Sequence, residues 1–312
     1  MISGFFSYLG GLFLGWSVGT NDSANMFGTA VASRMVRFRT AAVLIGVFVV
    51  IGAVSQGASS IATVRSLSEQ TLKTAVICTF AAATTVTLMT VLKIPVSSSQ
   101  MMIGAIVGQG FYRGTANPAP LLKVVLCWLL NPLGAMIISV VLYLIFQRLI
   151  ERKRPSVFEL DPLLRTGLIL CGCYGAYALG ANGVGVVCAV FVGSEPGMVT
   201  SQLGAFLGGM AIATGALTYS RPVMMTIGKG IVPLDAFTAF IAVLALAVTV
   251  HLFAFVGVPV STSQTILGGL LGIGVMKGLH IVNLRMLVRV IIWWIVSPFI
   301  AAATAVLGYV IS

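Results

Sequence analysis

Two near-identical polar strings, Ile94-Pro95-Val96-Ser97-Ser98-Ser99-Gln100 and Val258-Pro259-Val260-Ser261-Thr262-Ser263-Gln264, interrupt an otherwise apolar chain. Proline suits the first turn of a helix, where its missing N–H costs nothing, so each string reads as a helix start. The first backbone N–H groups of a helix lack intrahelical partners, and with the positive end of the helix dipole they favour an anion. The hydroxyls of Ser97, Ser98, Ser99, Ser261, Thr262 and Ser263 and the amides of Gln100 and Gln264 add donors without adding charge. Two such ends facing each other would hold a tetrahedral oxyanion. The plainer alternative is that the serines only cap their helices; duplication at matching places favours binding.

A third break, Gly19-Thr20-Asn21-Asp22-Ser23-Ala24-Asn25, places the acidic Asp22 deep inside an apolar segment. A lone carboxylate there is unfavourable unless protonated or paired with a cation. Beside an anion site it makes sense as a cation ligand or proton carrier, coupling anion entry to Na⁺ or H⁺. Its alternative role is to cap a half-helix beginning at Ser23.

These residues need a scaffold, and composition says which kind. Of 312 residues 58% are hydrophobic and 8% charged, and the mean hydropathy is +1.08. Such a chain is an all-α polytopic membrane protein; a β-barrel would need alternating polarity. Apolar runs of spanning length lie at about 3–32, 40–62, 72–92, 95–112, 121–147, 165–191, 198–219, 235–257, 259–276 and 290–311. No basic residue precedes Arg34, so the first run reads as a membrane segment rather than a cleaved signal.

The net charge of +11 does not indicate nucleic acid, because the basic residues lie between apolar runs without an aromatic-interleaved patch. They are topology signals. With Arg65, Lys73, Arg113 and Lys123 outside and the other fourteen, Lys93, Arg148, Lys229, Lys277, Arg285 and Arg289 among them, in the cytoplasm, the positive-inside rule is obeyed. The N-terminus is then external, the protein a multi-pass plasma-membrane protein, and five segments precede the basic loop.

The halves repeat. Gly19-Thr20-Asn21 recurs as Gly180-Ala181-Asn182, Pro95 as Pro259, and Trp128-Leu129-Leu130-Asn131-Pro132 as Trp294-Ile295-Val296-Ser297-Pro298, each 161–166 residues on. An odd number of crossings inverts the second copy. The expected architecture is an inverted-topology repeat of about five membrane segments each, with broken or re-entrant helices at the midplane. Residues 1–147 form the first repeat, 148–164 a cytoplasmic linker and hinge, and 165–312 the second repeat. Gly104/Gly108 and Gly268/Gly272 read as helix-packing positions.

The string Gly19-Thr20-Asn21-Asp22-Ser23-Ala24-Asn25-Met26-Phe27-Gly28-Thr29-Ala30-Val31 resembles the GANDVANAFGT signature of the inorganic phosphate transporter (PiT) family, and the PVS(S/T)SQ strings match that family's second recurring motif. The resemblance spans nearly the whole chain in two copies. It implies a secondary symporter of inorganic phosphate, with Asn21, Asp22, Asn25, Ser97, Ser98, Ser99, Gln100, Thr262, Ser263 and Gln264 at the ion and phosphate sites. Asn182 joins the cation set by position. The second signature departs from the pattern, reading Gly180-Ala181-Asn182-Gly183-Val184-Gly185-Val186, so a cation site built from both halves loses oxygen ligands on one side, for which unwound carbonyls near Gly183 and Gly185 could substitute.

No cofactor is implied beyond the transported ion. Cys78, Cys127, Cys171, Cys173 and Cys188 lack metal or redox spacing and read as packing. His251 reads as a packed imidazole rather than a proton relay, His280 as interfacial, and Asp235 as a helix cap. Expected partners are phosphate and membrane lipid, and a homo-oligomer is compatible with the sequence. Rival functions are a sulfate permease of the same fold, a passive anion channel, and a membrane enzyme. The last lacks a paired acid, a metal cluster or a His near the polar breaks.

Overall fold

The structure, a computed structural model, describes residues 2–193, 198–230, 234–278, 280 and 282–312. Among them the first half supplies α1 (Ile2–Asp22), α2 (Ala24–Ala32), α3 (Phe38–Gln56), α4 (Ala58–Arg65), α5 (Leu72–Val91), α6 (Ser98–Arg113) and α7 (Pro118–Lys153). The second supplies α8 (Val157–Cys188) with a 3₁₀ turn at Ala189–Phe191, then α9 (Ser201–Tyr219), α10 (Arg221–Gly230), α11 (Ala236–Val256), α12 (Thr262–Lys277) and α13 (Leu284–Ile311). Each half thus has five membrane segments: α1/α2, α3/α4, α5, α6 and α7, answered by α8, α9/α10, α11, α12 and α13.

Six helices among the described residues are long and apolar enough to span a membrane. Helices α6 and α12 have 16 residues each, about 24 Å against a hydrocarbon core of about 30 Å. Each is the return arm of a hairpin. The start of α5 and the end of α6 share one face, where Arg113 Nη1 donates to Glu69 O at 3.2 Å and Asn117 N to Leu67 O at 2.8 Å. The start of α11 and the end of α12 share the other face, through the Lys277–Asp235 ion pair. A hairpin entering and leaving by one face leaves the parity of crossings unchanged, so the inversion stands.

Helix α13 fixes the two faces. Its first turns bring Arg285 and Arg289 beside Lys93, while Tyr309 near its end lies under Lys73 and Arg113. The 20–24 residues of helix between them separate these groups by about 30–36 Å, which puts them on opposite faces. The side chain of Lys229 lies outside the described residues.

The halves do not pack as two separate bodies. Helix α1 lies on α9, α3 on α8, α6 on α13 and α7 on α12, and all four contacts join one half to the other. Glycine permits the two tightest crossings: a Cβ on Gly19 would strike the Ile212 carbonyl, and one on Gly180 the Val49 carbonyl. Gly104 and Gly268 likewise seat against the backbone of Pro298 and Pro132, which is the packing role expected of them.

The expected linker over 148–164 is mostly helix. Helix α7 continues to Lys153 and α8 begins at Val157, leaving three residues between them, with Arg154 at φ 45°. Ser156 and Glu159 form a capping box that starts α8 and so converts most of the polar stretch into helix.

Candidate functional site

Each polar string does what its composition asks. Ser97 caps α6 by accepting from Gln100 N at 3.2 Å, and Ser261 caps α12 by accepting from Gln264 N at 3.2 Å. The residues just before are extended, and an asparagine from the same half clasps them in each copy. Asn21 Oδ1 accepts from Val96 N at 3.3 Å, while its Nδ2 donates to Ile94 O at 3.4 Å and Thr90 Oγ1 at 2.9 Å. Asn182 Oδ1 accepts from Val260 N at 3.1 Å, and its Nδ2 donates to Val258 O at 3.1 Å. The clasp is the inverted repeat written in hydrogen bonds, and it occupies both ends of each amide.

The two strings meet. Ser99 Oγ donates to Val260 O at 3.2 Å, and Ser263 Oγ donates to Val96 O at 2.8 Å, a reciprocal pair that sets the starts of α6 and α12 against each other. Helix α6 runs from this meeting toward one face and α12 toward the other, so their positive ends converge. From α1, Asp22 Oδ2 accepts the Ser98 hydroxyl of the first string. From α2, Asn25 Nδ2 donates to Thr262 Oγ1 at 2.9 Å and Ser263 Oγ at 3.2 Å.

The centre is closed to solvent: Asp22 is 4% exposed, Asn25 0%, and Gln100, the most open of the set, 7%. Four buried oxygens on these elements have no donor among the described residues: Asp22 Oδ1, Asn25 Oδ1, Gln100 Oε1 and Gln264 Oε1. Buried acceptors without donors are costly, and an acceptor-only set is suited to a cation. Donors for an anion are the helix-start N–H groups and hydroxyls that now bond protein partners. The strings and the Asp22–Asn25 signature therefore offer both kinds of ligand, all on buried residues.

Of the twelve residues singled out in the sequence, ten lie around this centre or cap its helices. Asn21 and Asn182 are set back, with their amides engaged on the strings. Two expectations at the signatures need correction. The alternative in which Asp22 caps a half-helix beginning at Ser23 does not hold: Asp22 ends α1, its Oδ2 accepts from Ser98 and its Oδ1 has no donor among the described residues, while Ser23 keeps φ −61° and ψ −25° with its hydroxyl on Gly19 O, so the break between α1 and α2 is a single shallow turn. Gly183 and Gly185 are not unwound: α8 runs unbroken through both to Cys188, and their carbonyls stay in the helix.

Asn131 and Trp128 were visible only as a repeat landmark. Asn131 Nδ2 donates to Ser261 O at 2.9 Å, its Oδ1 accepts from Thr265 at 2.8 Å, and Trp128 Nε1 donates to Pro259 O at 3.1 Å. A polar Asn beside Pro132 in an apolar run was the available signal. The counterparts Trp294 Nε1 and Ser297 Oγ are buried without partners among the described residues, so the second string is held more firmly than the first. His251 is packed as expected, bonded to Tyr174 and Gln56 at 2.7 Å each, and Asp235 caps α11 by accepting from Thr238 N.

Two inverted hairpins whose helix starts converge on a buried polar centre define a polytopic membrane protein of inverted-repeat transporter architecture. The chain belongs to the phosphate transporter family, whose family model matches residues 18–305. It is similar to the protein named "Putative phosphate permease MJ0630" of Methanocaldococcus jannaschii, with 32% identity covering 95% of this chain and 92% of the relative. It is also similar to the sulfate permease CysP of Bacillus subtilis, with 28% identity covering 95% of this chain and 84% of the relative. A solved structure described as a sodium-dependent phosphate transporter shares the fold, with a TM-score of 0.85 and 23% identity over 100% of this chain and 99% of that one.

Proposed function

We propose that this protein is a symporter that carries inorganic phosphate together with Na⁺ by alternating access. The observation that carries the reading is the convergence of the α6 and α12 starts on the Asp22–Asn25 signature: the Asp22 carboxylate accepts from Ser98 of one string, and Asn25 donates to Thr262 and Ser263 of the other. Phosphate lies between the two helix ends, received by their N–H groups and by Ser98, Ser99, Thr262 and Ser263. Asp22, Asn25, Gln100 and Gln264 supply the donor-free oxygens for the cation. The sodium dependence in the solved relative's description favours Na⁺ over H⁺. Asn21 and Asn182 position the strings, and Ser97 and Ser261 cap the helices.

Ser99 and Ser263 bond the opposite string, so the strings must part for those hydroxyls to reach an anion. The packing suggests which bodies part: α5 and α6 with α13, and α11 and α12 with α7. Each mixes both halves, so the moving units are swapped bundles rather than the halves themselves. The chain sits in the plasma membrane with its N-terminus outside, as the charge bias favours.

A second reading, sulfate as cargo, is favoured by the similarity to a sulfate permease. Chemistry separates the two, since hydrogen phosphate carries an O–H that Asp22 Oδ1 can accept and sulfate near neutral pH carries none. Uptake of radiolabelled phosphate into proteoliposomes is expected to fall with excess unlabelled phosphate and to resist excess sulfate. Equal suppression by both would reject phosphate selectivity.

A further inference from the structure

Beside the first string, at the end of α13 where that helix begins, lies a cleft of about 270 Å³ lined by Lys93, Ile94, Pro95, Thr226, Arg285 and Arg289 with neighbouring apolar residues. This is the face that carries the basic linker: Tyr143 and Phe146 near the end of α7 pack on Phe237 and Phe240 at the start of α11, which the Asp235–Lys277 pair joins to the end of α12. Three cations converge on one concavity, and its lining has no carboxylate. None of the three has a hydrogen-bond or ion-pair partner among the described residues. Like charges gathered without a counter-charge repel one another, and a polyanionic ligand relieves this; two guanidinium forks match phosphate oxygens in particular.

We propose that this cleft binds a phosphate group, presented either by free inorganic phosphate or by the headgroup of an acidic lipid. The rim suits both sources. Leu92, Leu284 and Val288 are exposed beside the cations, as a surface at the edge of the hydrocarbon would be, while the cleft itself opens to water-accessible charge. Occupancy would reach the transport centre through the chain itself. Lys93 closes α5 in the left-handed region, at φ 58°, and is followed directly by Ile94 and Val96, which Asn21 clasps. Val96 O in turn accepts from Ser263 of the opposite string. A ligand that pins Lys93 therefore steadies the string that must part from its partner.

Two measurements on the full-length protein separate the sources. In native mass spectrometry with added phosphatidic acid or phosphatidylcholine, a lipid site predicts preferential retention of phosphatidic acid. The pair Arg285→Gln/Arg289→Gln should lower that retention about tenfold, and Arg285→Lys/Arg289→Lys, which keeps the charges but loses the forks, should restore only part of it. In neutral detergent, equilibrium dialysis against radiolabelled phosphate detects a free-phosphate site as one phosphate fewer per chain in the glutamine pair than in wild type. That difference does not depend on how many phosphates the transport centre holds. The substituted side chains are exposed, and unchanged melting temperatures would show that the variants fold. Equal lipid retention together with equal phosphate binding in wild type and the glutamine pair would overturn the proposal.

Discussion

Replacing Asn182 by aspartate separates a positioning role from a cation-ligand role. The wild-type amide donates to Val258 O and accepts from Val260 N, and both valines are at most 1% exposed. Asn182→Ala leaves two buried backbone groups unpaired, at about 1–3 kcal/mol each. Even the lower end, about 2 kcal/mol for the two, corresponds to about a 30-fold loss if it falls on ordering the string at the site. Aspartate keeps the acceptor for Val260 N but loses the donor and sets a buried negative charge against the Val258 carbonyl. A clasp therefore fails with aspartate about as badly as with alanine. A cation ligand would tolerate the change and bind Na⁺ more tightly. The assay is initial-rate phosphate uptake into proteoliposomes over a range of Na⁺ concentrations, alongside thermal melting to exclude loss of fold. Asn182→Asp with near wild-type uptake and a lowered Na⁺ half-saturation would refute the positioning role.

Further outcomes follow from the same geometry. Gly180→Val forces a side chain onto the Val49 carbonyl and the Ala53 amide; it should cost about 1–3 kcal/mol by overpacking, read as a lowered melting temperature. Gly183→Ala, whose Cβ meets only Leu179 Cδ1 at 3.5 Å, should be neutral or stabilising, so equal damage from both would dismiss the crossing as the cause. Ser97→Ala should remove a cap worth about 1 kcal/mol and change phosphate affinity only a few-fold. Thr262→Val, close in shape but without the hydroxyl that Asn25 engages, should reduce uptake far more; equal losses would erase the distinction between capping and binding residues.

Much of this protein was legible in the sequence because hydrophobic run length and charge placement act locally along the chain. The five-segment halves, the inversion and the meeting of the two strings all rest on those signals and on the duplicated motif. What stayed hidden depends on how the halves interlock. Periodicity does not show that α6 packs on α13 or α7 on α12, because those choices are made by glycine faces against proline-bearing helices. Asn21 and Asn182 looked like ion ligands because a buried amide offers the same oxygen to a cation or to a backbone N–H. Only the position of Val96 N and Val260 N decides which is served. The signature around Gly183 suggested an unwound segment, yet nothing in the structure competes with the helical bonds of α8 there.

The coupling of anion to cation through Asp22 is tested most directly by uptake into proteoliposomes with Na⁺ and pH gradients imposed separately, for wild type and Asp22→Asn. An inward Na⁺ gradient is expected to drive phosphate accumulation in the wild type, and a pH gradient alone should not. Asp22→Asn keeps an oxygen of similar shape but removes the charge, and should abolish gradient-driven accumulation. Accumulation by Asp22→Asn equal to wild type, or wild-type flux that only equilibrates phosphate under either gradient, would contradict the account and leave a passive anion pathway in its place.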